Sequence, residues 1–167
     1  DQSPTSPYIL SALSSVHKHQ ERFEDSYKIL RLALALQPED PTLLSQMVSL
    51  LVAIGQRPQA INYCRLSLEL KNLQPQVHND LSALMFADKK FSLAITALHR
   101  ALQIRPNYTD AHFNLAVILT NIGRKTDALA HFRKATEALP DFAEAFYEWG
   151  RLLLNQNRLT EAAEKFQ

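Results

Sequence analysis

Glu144 and Glu148 stand four residues apart, a spacing that places two carboxylates on one face of a helix and that general acid/base chemistry could use. Six imidazoles are also available, from His17, His19, His78, His99, His112 and His131, and His78 and His112 recur 34 positions apart. Zinc requires three or four convergent ligands, and no Cys or carboxylate completes such a set near that histidine pair in sequence. The single cysteine, Cys64, cannot form an internal disulfide, and its position among apolar residues predicts a buried, unreactive thiol. The glycines are isolated at Gly55, Gly123 and Gly150, which excludes a phosphate-cradling loop and a nucleophile elbow. A solvated or ligand-facing charge pair is commoner than a catalytic one. The expectation is therefore no catalytic residue, no cofactor and no metal.

The elements that carry these groups follow from periodicity. Written in lines of 34 beginning at Pro7, Pro41, Pro75, Thr109 and Ala143, the chain falls into register with itself five times without insertion or deletion. The eighth slot holds Ser14, Val48, Ser82, Ala116 and Gly150, and the twentieth Ser26, Ala60, Ala94, Ala128 and Ala162, small residues suited to close helix approach. Slot 24 is apolar throughout, with Leu30, Cys64, Leu98, Phe132 and Phe166. Slot 32 is Pro38, Asn72, Pro106 and Pro140, so three of four complete lines end on a helix breaker. Stripes at a period of 3.6, such as Leu44, Met47, Val48 and Leu51, recur, whereas sustained alternation does not; the fold class is all-α.

Within the fourth line, residues 106–110 read as a turn, residues 111–121 as a helix capped at Gly123, and a second helix opens near Lys125 and stops before Pro140. Two helices joined by so short a link run antiparallel. At the slot of Gly55 and Gly123 the other lines carry Glu21, Lys89 and Asn157, where weaker caps are expected. A unit this short cannot bury its own apolar face, so the hairpins must stack. Ala128→Leu is expected to overpack the fourth repeat.

Composition narrows the partners. Eighteen basic against 17 acidic residues give a net charge of +1, without the basic footprint of nucleic-acid binding. The densest apolar run, Ile29 to Leu36, is too short to cross a membrane and contains Arg31. Residues 1–6, rich in Ser and Pro and lacking an initiator Met, read as a linker, and 7–167 as a single repeat domain. The lone cysteine leaves the compartment open, with a cytoplasmic setting favoured. The fifth line stops at Gln167 inside its second helix, so a following segment, or self-association through an uncapped apolar edge, is expected.

A large residue at slot 4, Leu or Trp at 7, a small one at 8, a large one at 11, Ala at 20, Leu or an aromatic at 24, Ala at 27 and Pro at 32 together resemble the tetratricopeptide repeat. Line five is closest, with Phe146, Trp149, Gly150, Leu153, Ala162 and Phe166; line one departs most, with His17 at slot 11 and Ser26 at slot 20, as for a terminal repeat whose outer face meets water. The resemblance implies a right-handed superhelix of helix pairs, the first helix of each lining a concave groove. Two uses known in the family can be compared by residue. The clamp that holds acidic chaperone tails needs basic residues where this chain, in its three registers, has Gln76 and Asp80, Asp110 and Asn114, or Glu144 and Glu148, so that ligand is rejected. The asparagine ladder of slot 6 is represented by Ala12, Gln46, Asp80, Asn114 and Glu148, which suggests contacts to a peptide backbone in the middle of the array.

Spacing alone marks the candidate groove. With slots 4, 7, 8 and 11 facing the neighbouring helix, slots 2, 5, 6, 9, 12 and 13 share the opposite stripe. In the first two lines it is small and polar: Ser11, Ser15, Ser45, Gln46 and Ser49. Further along it carries Asn79, Asp80, Phe86, Asp110, Phe113, Asn114, Glu144, Tyr147, Glu148 and Arg151, the predicted peptide-binding residues. Exposed Phe and Tyr beside amides and carboxylates suit a peptide groove, and the acidic excess predicts a protein or peptide partner with basic and apolar side chains. Phe113→Ala is expected to weaken binding and spare stability. Two functions follow: a non-enzymatic adaptor or scaffold, or the substrate-recognition arm of a larger enzyme such as a glycosyltransferase, sulfotransferase or oxygenase.

Overall fold

A computed structural model describes residues 6–71 and 73–166. Of the sequence expectations, the linker apart from Ser6, Asn72 in slot 32 and the terminal Gln167 lie outside the described residues. Among the described residues there are ten α-helices and no strand: α1 (Pro7–His19), α2 (Phe23–Leu36), α3 (Pro41–Ala53), α4 (Arg57–Leu70), α5 (Pro75–Ala87), α6 (Phe91–Ile104), α7 (Thr109–Asn121), α8 (Lys125–Ala138), α9 (Ala143–Leu154) and α10 (Leu159–Lys165). This is the all-α helical repeat that the periodicity predicts. Every odd-numbered helix starts at slot one of its line. Pro7, Pro41 and Pro75 explain three of those starts, because proline at the first helical position has the right φ and sacrifices no hydrogen bond. Asp40 adds a side-chain cap, accepting from Thr42 N at 2.7 Å and Leu43 N at 3.0 Å. In the fourth line the helix begins at Thr109, two residues earlier than the sequence suggests.

The turn inside each hairpin is the same in all five lines. Glu21, Gly55, Lys89, Gly123 and Asn157 are left-handed, with φ between 58° and 80°. The amide after each closes a hydrogen bond to a carbonyl five residues back: Arg22 to His17, Gln56 to Leu51, Lys90 to Met85, Arg124 to Leu119 and Arg158 to Leu153, at 2.8–3.0 Å. This is the Schellman arrangement, in which glycine is favoured because a Cβ crowds the carbonyl. Three of the five turns therefore carry a steric cost that the glycine turns do not.

The chain divides into two compact units, one ending at Leu73 and one beginning at Gln74. In the first, α1 to α4 enclose Leu30, Ala33, Leu44, Met47, Leu51, Ala60 and Cys64, none more than 1% exposed. The serines of slots 8 and 20 do not meet water there, contrary to the expectation for a terminal repeat. Ser14 and Ser26 are buried; their hydroxyls lie 2.9 Å apart, Ser14 also donates to the Ser26 carbonyl at 3.1 Å and Ser26 to the Ser14 carbonyl at 2.9 Å as alternatives. Small size brings the helices together, and mutual hydrogen bonding offsets the cost of burying two hydroxyls.

In the second unit α5 to α10 pack around Ala94, Leu98, Leu115, Ala116, Ala128, Phe132 and Ala162, again almost fully buried. Helices α5, α7 and α9 stand side by side on one layer, each paired with its own second helix on the other. Gly150 is a true contact glycine: a Cβ built there would fall 2.6 Å from the Phe166 ring. The small residue in slot 8 of the last line thus permits the aromatic of slot 24 to close the hairpin.

Candidate functional site

The candidate stripe behaves differently in the two units. In the first it is knitted to itself: Ser11 donates to Gln46 Oε1 at 2.9 Å, Gln46 reaches Ser15 at 3.4 Å, and Lys18 bonds to Ser49 across from α1 to α3. In the second the aromatic and acidic residues are gathered on α5, α7 and α9.

Here a cleft of about 230 Å³ runs across the three first helices, lined by Ser82, Ala83, Phe86, Phe113, Asn114, Val117, Ile118, Glu144, Glu148 and Arg151. Six of the ten predicted site residues lie in it. Phe86 and Phe113 are half-buried, neither sealed in the core nor fully solvated. Phe113 rests on Phe142, ring centres 5.0 Å apart, and on Phe132 of α8 at 6.2 Å; Phe86 meets Phe91 of α6 at 5.8 Å. Each ring is braced from behind and presents its remaining face to the cleft. Because Phe113 is braced, its truncation costs stability as well as surface, more than its place on the stripe alone suggests. Ser82, fully buried, leaves its hydroxyl without a hydrogen-bond partner beneath the floor. Glu144 is exposed on the rim, while Glu148 is ion-paired with Arg151 at 2.8 Å and so contributes little net charge.

The remaining four predicted residues stand elsewhere. Asn79 is buried to 9% exposure and accepts from Asn114 Nδ2 at 2.9 Å, so one amide of the anticipated ladder is engaged by its neighbour and helps to register α5 against α7. Tyr147, 55% exposed, opens onto a separate hollow with Pro140, Phe146 and Phe166. Asp80 on α5 and Asp110 in the first turn of α7 come together near Tyr108, the residue that caps α7.

Burial, with the charge of Asp110 added to it, raises the Asp80 carboxyl from 3.8 to about 6. Tyr108 is 5% exposed, and its hydroxyl meets the Asp110 carboxylate outside ideal hydrogen-bond geometry. Burial, then the nearby Asp110 and Asp80, push that phenol up to about 12, so it remains protonated. Arg105 covers the face of the Tyr108 ring at 4.9 Å. Sequence reasoning missed Tyr108 because slot 34 lies in the inter-hairpin turn, outside any helical stripe. It named slot 9 as part of the stripe without singling out Ala83 and Val117, which complete the cleft wall.

The histidine pairing also differs from the expected one. His112 of α7 meets His131 of α8, with Nδ1 atoms 3.0 Å apart, and His112 Nε2 lies 2.9 Å from the Pro106 carbonyl. A carbonyl only accepts, so Nε2 of His112 carries the proton and, in the neutral pair, Nδ1 accepts from His131. Burial lowers the pKa of both; for His131, burial and the His112 ring bring it to about 4. Among the described residues no group of three His, Cys, Asp or Glu is arranged to hold a metal, and no helix is long and apolar enough to cross a membrane.

The family model described as tetratricopeptide repeat matches residues 85–146. No curated protein matches by sequence. Among solved structures the chain is similar to MamA residues 41-end from Desulfovibrio magneticus RS-1, at 18% identity and TM-score 0.80, covering 96% of this chain and 90% of that one. It is similar to PilF of Pseudomonas aeruginosa at 16% identity and TM-score 0.85, covering 96% and 74%. It is also similar to YrrB, described as a TPR protein with an unusual peptide-binding site, at 21% identity and TM-score 0.70, covering 98% and 84%. At these identities the likeness is one of fold.

Proposed function

Starting from a chain that belongs to the tetratricopeptide-repeat family, we propose that it is a protein-interaction module that holds a segment of a partner along α5, α7 and α9. The observation that carries this reading is the cleft with Phe86 and Phe113 in its wall. At about 230 Å³ it is smaller than a typical small-molecule pocket and suits a single apolar side chain of a longer segment. Asn114 and the exposed Glu144 at its edge supply orientation, and the unpaired charge on Glu144 favours a basic side chain next to the apolar anchor. YrrB, whose fold this chain shares, is described as having a peptide-binding site, which supports the same class of function. As the recognition arm of a larger enzyme, the module would use the same cleft to present a polypeptide substrate.

Ala83 provides the test, since it is exposed on α5 and lines the cleft without bracing the core. Peptides selected from a random display library on the wild-type protein should bind Ala83→Phe at least about tenfold more weakly, the equivalent of about 1.4 kcal/mol. Its thermal midpoint should be nearly unchanged. Equal binding by a folded, cleft-filled variant refutes this location.

A further inference from the structure

The histidine pair and the cleft share one contact layer. His112 and Phe113 are consecutive on α7, as are His131 and Phe132 on α8. The two helices meet imidazole to imidazole and phenyl to phenyl, with ring centres 5.2 and 6.2 Å apart. Phe113 forms part of the cleft wall, so its place depends on how closely α7 stays docked on α8 at this layer. His112, 4% exposed, is fastened at both nitrogens: Nε2 donates to the Pro106 carbonyl at 2.9 Å, and Nδ1 accepts from His131 at 3.0 Å. The direction of that chain is fixed, because the carbonyl at its end only accepts. The nitrogen left to take a proton is Nε2 of His131, on the far edge of its ring. His131 also lines a hollow of about 200 Å³ among α6, α7 and α8, which gives solvent protons a route to it.

We propose that the His112–His131 pair is a proton-sensitive brace of the cleft: a bound segment holds it in its neutral, hydrogen-bonded form, and proton uptake by the pair weakens binding. The inference rests on the interaction reading above and adds a means of regulating that site. A first proton makes His131 an imidazolium that can still donate to His112. The groups facing it are His112 from α7, Lys134 of α8, His99 from α6 and Asp127 of α8. Asp127 is already ion-paired with Arg124 at 2.6 Å, so an added cation there meets more repulsion than attraction. A second proton would set two N–H groups against each other across 3.0 Å, and the bond between α7 and α8 would be lost. Burial keeps both rings neutral at pH 7, so the brace is closed there and loosens in acid.

The test uses the full chain and a library-selected peptide with blocked ends and no Asp, Glu or His, so that the ligand itself does not titrate. The His131 ring is followed by NMR from pH 3.5 to 8. Saturating peptide should lower the His131 midpoint by about one pH unit, and by the same linkage affinity should be about twofold weaker at pH 4 than at pH 6.5. His131→Asn places an amide donor where Nδ1 stood and takes up no proton. It should bind as the wild type does at pH 7 and lose that twofold share, while the carboxylates of the stripe give both proteins the same background. A His131 midpoint unmoved by saturating peptide overturns the brace, and so does a wild-type pH dependence equal to that of His131→Asn. The midpoint, read on the wild-type chain, decides alone if the variant does not fold. Ala83→Phe separates the two readings: a peptide that it weakens but that leaves His131 unmoved sinks the brace alone. A moved His131 with a peptide indifferent to Ala83→Phe sinks the placement of the segment, and with it the claim that the brace serves this cleft.

Discussion

Replacing Asp80 by Asn should make the second unit more stable at neutral pH. In the folded chain the Asp80 carboxyl titrates near 6 instead of 3.8 because burial, and then Asp110, disfavour its ionised form. That difference is about two pH units, and at about 1.4 kcal/mol per unit it sets a ceiling of about 3 kcal/mol on the cost of ionising Asp80 at pH 7. Partial hydration of a half-buried carboxylate reduces this, so a gain of about 1–2 kcal/mol is expected, or about 3–6 °C in thermal midpoint for a domain of this size. The sign follows from proton linkage. A carboxyl whose folded pKa is raised is harmless below its unfolded value, and its penalty grows as pH rises toward the folded one. The advantage of Asp80→Asn should thus be absent below about pH 4, grow between pH 4 and 6, and level off above. The assay is circular-dichroism melting of both proteins from pH 3.5 to 8, compared by difference. The wild-type curve alone is insufficient, because the histidine pair acts in the same range with opposite sign. A stability difference independent of pH, or a variant less stable at pH 7.5, would refute the claim that Asp80 is an uncompensated buried carboxylate.

The imidazole of His131 should titrate near pH 4 by proton NMR, and its depressed pKa means that stability is lost as pH falls from about 6.5 toward 4. Lys89→Gly should stabilise the hairpin of α5 and α6 by about 0.5–1 kcal/mol in urea unfolding, because it removes a Cβ from a backbone with φ of 59°. Ala128→Leu, at a position without exposed surface, should cost about 1–3 kcal/mol in the same assay through overpacking between α7 and α8.

The fold was legible in the residues because a hairpin repeat is specified locally. Small residues at slots 8 and 20 set the approach of the helices, Pro7, Pro41 and Pro75 mark helix starts, and the left-handed slot at Gly55 and Gly123 marks the turn. These requirements act over a few residues and recur every 34, so one line checks another. Where a line departs, as at Ser14 and Ser26, the sequence reported the departure but not its resolution, since the two hydroxyls meet only when α1 and α2 are folded together.

Of the site, the stripe was determined by 3.6-residue spacing, which set Phe86, Phe113, Asn114, Glu144, Glu148 and Arg151 apart from the main packing positions, and these six line one cleft. Which of them share one cleft was decided by tertiary structure. Asn79 turned inward to Asn114, Tyr147 faced another hollow, and Glu148 was neutralised by Arg151, each through a contact between helices or with a neighbour whose rotamer depends on packing. The meeting of Asp80, Asp110 and Tyr108, and that of His112 with His131, could not be read along the chain for the same reason. Periodicity fixes the face on which a side chain emerges. The distance between groups on different helices, and with it their solvation and charge, exists only after the hairpins have packed.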